Sequence, residues 1–214
     1  MATKKLKVAV IEGQHPYDAV AFHKLFRDMD QIDYYLQGYE TWACDWGANA
    51  DQYDAVLFYH FHQEMPQDPS NPMRIAVDRL GRVGKGIIVL HHAILAFPKE
   101  PQWSALTGIA DRAFNYFPEQ DLVAVPASID HPIIDGITPF EIHDETYTMN
   151  EPDAHCEVLL TTHHENSMKA LAWTRKHHES GVFCFQLGHD DKAWANAGFQ
   201  TLLHRGILWS TGRL

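Results

Sequence analysis

Apolar runs of a few residues each punctuate the chain and make the first prediction. Leu6 to Ile11, Asp54 to Tyr59 and Ile87 to Leu90 carry such runs with almost no polar alternation, the mark of strands buried on both faces of a sheet. Tyr34 to Leu36 reads as a further strand. Between them, the Gly13-Gln14-His15-Pro16 turn leads into a helix with Pro16 in its first turn and Val20, Leu25 and Phe26 as its apolar face. Asn49 to Asp51 reads as an acidic loop, and His62 to Pro72, with three prolines, as a loop over the end of the third strand. Met73 to Val83 follows as a helix with Ile75, Ala76, Arg79 and Leu80 in register, stopped by Gly84-Lys85-Gly86. This β-α-β alternation predicts a parallel sheet with right-handed crossovers.

The middle of the chain changes character. Residues 103–150 mix aromatics, glycine and proline, and read as an insertion of loops and short strands beside the main sheet. Cys156 to Thr161 and Ala170 to Thr174 resume the strand pattern, and Gly181 to Leu187 is the last strong strand. Trp194 to Trp209 closes the chain as a helix whose core face is Phe199, Leu202, Leu203, Ile207 and Leu208. No repeat or linker interrupts the pattern, so residues 1–214 are expected to form a single α/β domain with a flavodoxin-like, doubly wound parallel sheet.

Composition narrows the function. At 214 residues and 45% hydrophobic content, the chain is large enough to bury a full core. A net charge of −11 argues against nucleic acid or an anionic membrane as partner. The opening Met-Ala-Thr-Lys-Lys-Leu-Lys is basic but is followed only by Val8 to Ile11, too short for a secretory h-region, so a cytoplasmic protein is expected. No stretch approaches the roughly 18 apolar residues that span a bilayer. Cys44, Cys156 and Cys184 are odd in number and lack CxxC spacing, which predicts neither a disulfide framework nor a cysteine zinc site.

Chemistry is concentrated in the histidines. Strand runs end at His15, at His60 and His62, at His91 and His92, and at His189. Ligands of an open parallel sheet sit beyond the carboxyl ends of its strands, so these six are expected to face one crevice. Gly84 to Ala93 has the strand-and-turn form in which some α/β enzymes hold a nucleophile, yet the turn carries two histidines and no serine or cysteine. Metal ligation or proton transfer suits it better than acyl transfer. In Gly188-His189-Asp190-Asp191, a neighbouring carboxylate would fix the imidazole tautomer, and Asp191 reads as a helix cap. Asp144-Glu145-Thr146-Tyr147 sets two acids beside a phenol, able to hold a polyol or serve as acid and base, or else a solvated face. Asp130-His131-Pro132-Ile133 is either a binding element or a turn. His163-His164 and His177-His178 read as surface loops, and His23 and His204 as helix packing residues. Trp42, Trp46 and Trp103 are open to two readings, sugar stacking or core packing.

Six motifs in order carry a family resemblance: Gly86 to His91; Asp130 to Ile133 with Gly136-Ile137; Asp144 to Tyr147; Ala172-Trp173-Thr174-Arg175; Gly188-His189-Asp190; and Arg205 to Trp209. Together they span nearly the whole chain, which resembles the ThuA-like (trehalose-utilisation) proteins. Two segments depart from the family pattern: Ala113 to Pro118 has aromatics where many relatives have a histidine before proline, and Lys176 to Gly181 differs from the usual Gly-Lys-Gly turn. The resemblance implies a class I glutamine amidotransferase-like fold without the amidotransferase cysteine, and a role in carbohydrate catabolism on a trehalose-type keto-disaccharide. It implies proton abstraction to an enolate, with His91, His189, Asp144 and Glu145 as catalytic residues and His91 and His189 as ligands where a divalent, zinc-like metal assists. His15, His60, His92, His131, Tyr147, Asp190 and Trp103 would bind the sugar, and Arg175 would pair with one of the acids. No nucleotide cofactor is implied; the partner is a small carbohydrate, and an aromatic insertion covering a second copy's pocket would make a homodimer. Two alternatives stay open: a non-catalytic carbohydrate-binding module on the same scaffold, and a metal-dependent hydrolase of a non-sugar substrate. Isomerase, lyase and hydrolase chemistry are not separated at this level.

Overall fold

The computed structural model describes residues 4–214; Met1 to Thr3 of the basic opening lie outside the described residues. In chain order the elements are β1 (Leu6–Glu12), α1 (Ala19–Arg27), β2 (Ile32–Gly38), α2 (Tyr39–Asn49), β3 (Ala55–Phe58), α3 (Pro72–Asp78), β4 (Gly86–Leu90) and α4 (Pro101–Thr107). Then follow β5 (Asn115–Pro126), β6 (Phe140–Thr148), β7 (Glu157–Thr161), β8 (Ala170–His177), β9 (Ser180–Phe185), α5 (Asp191–Trp194) and α6 (Ala197–Ser210). The strands form one nine-stranded sheet in the order β2-β1-β3-β4-β9-β8-β7-β5-β6.

The β2-β1-β3-β4-β9 half is parallel throughout and has the 2-1-3-4-5 strand order of flavodoxin-like folds. Alternation along these strands loads both faces. Val8, Val10, Ile88, Leu90 and Phe183 pack under α1 and α6, while Ala9, Ile11, Ile87, Val89 and Val182 pack under α2, α3 and α4. That double loading is why the strands read as unbroken apolar runs. From β9 onward the sheet turns antiparallel through β8, β7, β5 and β6.

Several local expectations need correction. Helix α1 starts at Ala19, not at Pro16, because the Asp18 carboxylate accepts the amides of Val20 and Ala21 and caps it there. Its buried face is Phe22, Leu25 and Phe26, and Val20 is 76% exposed. Asn49 to Asp51 is not a loop: it ends α2 and enters a 3₁₀ turn, Ala50–Gln52. The i, i+3, i+4, i+7 stripe Tyr39, Trp42, Ala43, Trp46, all buried, is the helical signal for α2. Helix α3 stops at Asp78, and Gly81, at φ +81°, turns the chain against the carbonyl of His177, where a side chain would not fit. The insertion is not made of short strands: β5 has 12 residues and β6 nine, paired as an antiparallel ribbon with a bulge at Phe117 to Gln120. The closing helix is broken at Ala195-Asn196, where Asn196 caps α6. No helix among the described residues is long and apolar enough to cross a membrane.

Candidate active site

His91 is the first residue after β4 and holds a left-handed backbone, φ +53°, at the entry to a 3₁₀ turn spanning His91–Leu95. A non-glycine residue in that region is strained, and such strain collects at functional turns. The His91 Nδ1–H donates to the Gln186 carbonyl at 2.7 Å, which leaves Nε2 as the nitrogen presented to the site. The Tyr147 hydroxyl hydrogen-bonds with that Nε2 at 2.7 Å.

His189 arrives from the neighbouring parallel strand, on the loop after β9. Gly188, at φ +116°, makes the turn with Phe199 packed against it. Asp144 then pins the loop: its carboxylate accepts the amides of Gly188 at 2.6 Å and His189 at 2.9 Å, as well as that of Glu145 at 2.8 Å. Tyr59 donates to the His189 carbonyl at 2.8 Å and Trp194 to the Gly188 carbonyl at 2.9 Å. Alternation in β6 sends Asp144 to this loop while Glu145 and Tyr147, two residues apart, line the cavity.

His91, Glu145 and His189 converge. His91 Nε2 lies 3.2 Å from His189 Nδ1 and 3.6 Å from Glu145 Oε1, and His189 Nδ1 lies 3.5 Å from the same oxygen. Two ligands on a tetrahedral zinc with bonds of about 2.0–2.1 Å sit roughly 3.3 Å apart, so the three atoms have the spacing of a two-histidine, one-carboxylate set with a fourth position open. The Gln186 carbonyl behind His91 is the second partner that such a ligand needs. Among the described residues this is the one cluster of histidines, cysteines and acids with ligand atoms so close together.

Charge is tuned by burial and by these neighbours. Burial pushes the Glu145 carboxyl up, but hydrogen bonding to His91 and the charges of His91 and His189 outweigh it and hold it below the ordinary range. Burial raises Asp144, and His91 with the three amides only partly offsets that. Burial, reinforced by Glu145, keeps the Tyr147 phenol protonated well beyond its usual range. His15 and His92 are both pushed down, first by burial and then by neighbouring imidazoles. All this surrounds a cavity of about 350 Å³, to which His15, His92, Phe61 and Phe114 also contribute.

Of the residues expected at the site, the fold gathers His15, His91, His92, His189, Glu145 and Tyr147. The others are placed elsewhere. Asp144 faces backbone amides and not the cavity, so it positions His189 and Glu145. Asp190 caps α5, accepting from Lys192 and Ala193, and takes the role expected of Asp191. The carboxylate beside His189 is therefore Glu145. His60 is fully buried among Tyr39, Phe97 and Trp103 on the α2–α4 face, and His62 pairs with Glu40 at 3.1 Å. Trp103 is wholly buried and donates to the Ala93 carbonyl; Trp42 and Trp46 are core as well. His131 folds into its own turn, accepting the Ile133 amide and packing on Trp209. Arg175 pairs with Asp153 at 3.3 Å, away from both expected acids. Phe61 and Phe114 carry no periodic or motif signal that places them at the cavity; only the 113–118 departure from the family pattern pointed near it. A larger cleft of about 570 Å³, around Glu40, His62 and Glu100, contains none of the three converging residues.

Comparison with known proteins agrees with this architecture. Residues 13–210 match the ThuA family model, described as trehalose utilisation. A ThuA-like protein from Parabacteroides merdae superposes with a TM-score of 0.77 at 18% identity, over 97% of this chain and 90% of that one. A cytoplasmic protein from Salmonella typhimurium gives 0.68 at 12% identity, over 96% and 99%. A glutamine amidotransferase from Thermotoga maritima gives 0.54 at 7% identity, over 96% and 98%. At these identities the structural likeness is one of fold. The search of curated proteins gives no match.

Proposed function

The chain belongs to the ThuA family, described as trehalose utilisation, and on that premise we propose that it is a carbohydrate-catabolism enzyme acting on a trehalose-type keto-sugar. The reaction we assign is removal of a proton from the carbon beside the ketone. The observation that carries this reading is the meeting of His91 and His189 with Glu145 and Tyr147, the two of the four that line the cavity, at a turn that offers no cysteine or serine.

A ketone acidifies its neighbouring C–H bonds, so the protein must supply a base and a donor for the enolate oxygen. Glu145 is the base: it lines the cavity and its two imidazole neighbours keep it ionised. Tyr147 is the donor, a phenol kept protonated by burial and held 2.7 Å from His91 Nε2. His91, fixed by Gln186, takes up the charge change next to both. His189 approaches the same Glu145 oxygen, at 3.5 Å. The protonated Glu145 then either returns the proton to the enolate at another carbon, or keeps it while the enolate expels the group β to the carbonyl. His91, Glu145 and His189 also fit a divalent, zinc-like ion, which when bound would polarise the ketone oxygen as a Lewis acid. The setting we assign is cytoplasmic, supported by three unpaired cysteines and the description of the Salmonella relative.

An NMR time course of purified protein with 3-keto-trehalose, with and without added Zn²⁺, tests the reading. New sugar signals are expected with the native chain, and at least about 100-fold slower with His91→Ala or Glu145→Gln, both retaining native circular dichroism. Absence of new signals, or variants as fast as native, sinks the enzymatic assignment and favours a carbohydrate-binding module.

A further inference from the structure

The cavity holds two imidazoles beyond the converging set. His92 is 2% exposed, and neither of its ring nitrogens has a partner among the described residues. His15 Nδ1 is likewise buried and unpartnered. The two rings stand 4.4 Å apart, centre to centre, and both line the cavity with Glu145 and Tyr147. His15 is 5.5 Å from the His189 ring and His92 is 5.2 Å from the His91 ring, so the pair sits about one sugar ring's width from the reactive end. Buried polar atoms are nearly always hydrogen-bonded, and both of these residues line a cavity in which a ligand could supply the missing partner.

Their chemistry selects a partner. An imidazole with no carboxylate against it offers one donor and one acceptor, and a sugar hydroxyl offers the same two. A phosphate or carboxylate brings only acceptors and negative charge. The lining contains no lysine or arginine, and its one charged side chain is the acidic Glu145. The remaining wall is aromatic: Phe61 lies 5.6 Å from the His92 ring and 6.5 Å from Phe114, which stands edge-on to Tyr147 at 5.8 Å. Such rings pack against the C–H face of a pyranose, and about 350 Å³ is near the lower limit of ligand pockets.

We propose that His15 and His92 form a hydroxyl-binding subsite that restricts the cavity to one uncharged, unphosphorylated sugar ring, seated against Phe61 and Phe114. This rests on the keto-sugar reading and narrows its substrate class. Substrates phosphorylated on the ring that enters are excluded by the missing cation, and the second ring of a disaccharide projects outward.

Calorimetric titration of the full chain with methyl α-glucoside, trehalose, 3-keto-trehalose and glucose 6-phosphate tests it without relying on turnover. At least one neutral sugar is expected to bind, and glucose 6-phosphate at least about tenfold more weakly than the best of them. His92→Phe should lose about tenfold in affinity, the worth of one neutral hydrogen bond, while His92→Gln, which keeps a donor and an acceptor, should lose less. His15→Ala, at the ring that packs against His92, gives a second variant should His92→Phe fail to fold, and about the same loss is expected. Equal or tighter binding of the phosphorylated sugar, native affinity in His92→Phe or His15→Ala, or no binding of any neutral sugar would each overturn the subsite. Sugar that binds as expected but is never converted leaves the subsite standing and overturns the reaction alone.

Discussion

Asp144 and Glu145 are adjacent carboxylates with opposite duties, and one step along a strand separates them. Glu145 faces two imidazoles; Asp144 faces three backbone amides and holds the loop that carries His189. In Asp144→Asn, an amide nitrogen would replace one acceptor oxygen opposite N–H donors. Charged hydrogen bonds of this kind are worth about 1.5–3 kcal/mol each, so the variant is expected to lose roughly 2 kcal/mol of stability and to lower kcat at nearly unchanged KM. Urea unfolding and steady-state kinetics check this, and a shift in the His189 ring resonances separates mispositioning from simple loss of fold. At this scale much was legible: the strand-end histidines and the Asp144-Glu145-Thr146-Tyr147 run, two acids beside a phenol, could be picked out in the chain. Which acid touches imidazole was not, because that depends on the face β6 turns toward the β9 loop.

Elements dictate where these side chains are delivered. The helix α6 lies close enough on the sheet that a Cβ at Gly206 would overlap the Phe183 ring, which is wholly buried and has nowhere to swing. Gly206→Ala gains about 1 kcal/mol of helix propensity, and overpacking a core costs typically 1–3 kcal/mol. The fixed ring puts the site at the costly end, so a net loss of about 1–2 kcal/mol is expected in chemical denaturation. A variant as stable as native would mean that α6 can slide on β9. The parallel strands were readable because both faces are buried and every residue in the run is apolar. Strand β5 was not, since most of its residues are exposed or half-buried and its partner β6 begins 14 residues after it ends. Its strand character comes from pairing, not from composition.

Across the whole molecule, stability should fall from the centre of the sheet outward. Strands β1, β3, β4 and β9 each have neighbours on both sides and wholly or nearly wholly apolar burial, whereas β2 and β6 are edges. Hydrogen exchange is therefore expected to be slowest in β3 and β4 and markedly faster in β6. Half of the converging site, Glu145 and Tyr147, rides on that edge strand, so a bound sugar should slow exchange in β6 more than in β3. Uniform exchange across the sheet, or protection confined to β3, would contradict this picture. The α/β class, the parallel half and the gathering of histidines at one edge follow from the sequence by itself, because alternation and apolar runs are local properties of a few residues. Which histidines meet was decided by the tertiary structure. His91 and His189 are 98 residues apart, and whether they touch depends on strand order, a glycine turn and a buried carboxylate contributed by a third strand. His60 ends a strand on the same edge, yet its side chain points into the opposite core. Contacts between remote strands have no local signature, and there the fold alone chooses the site.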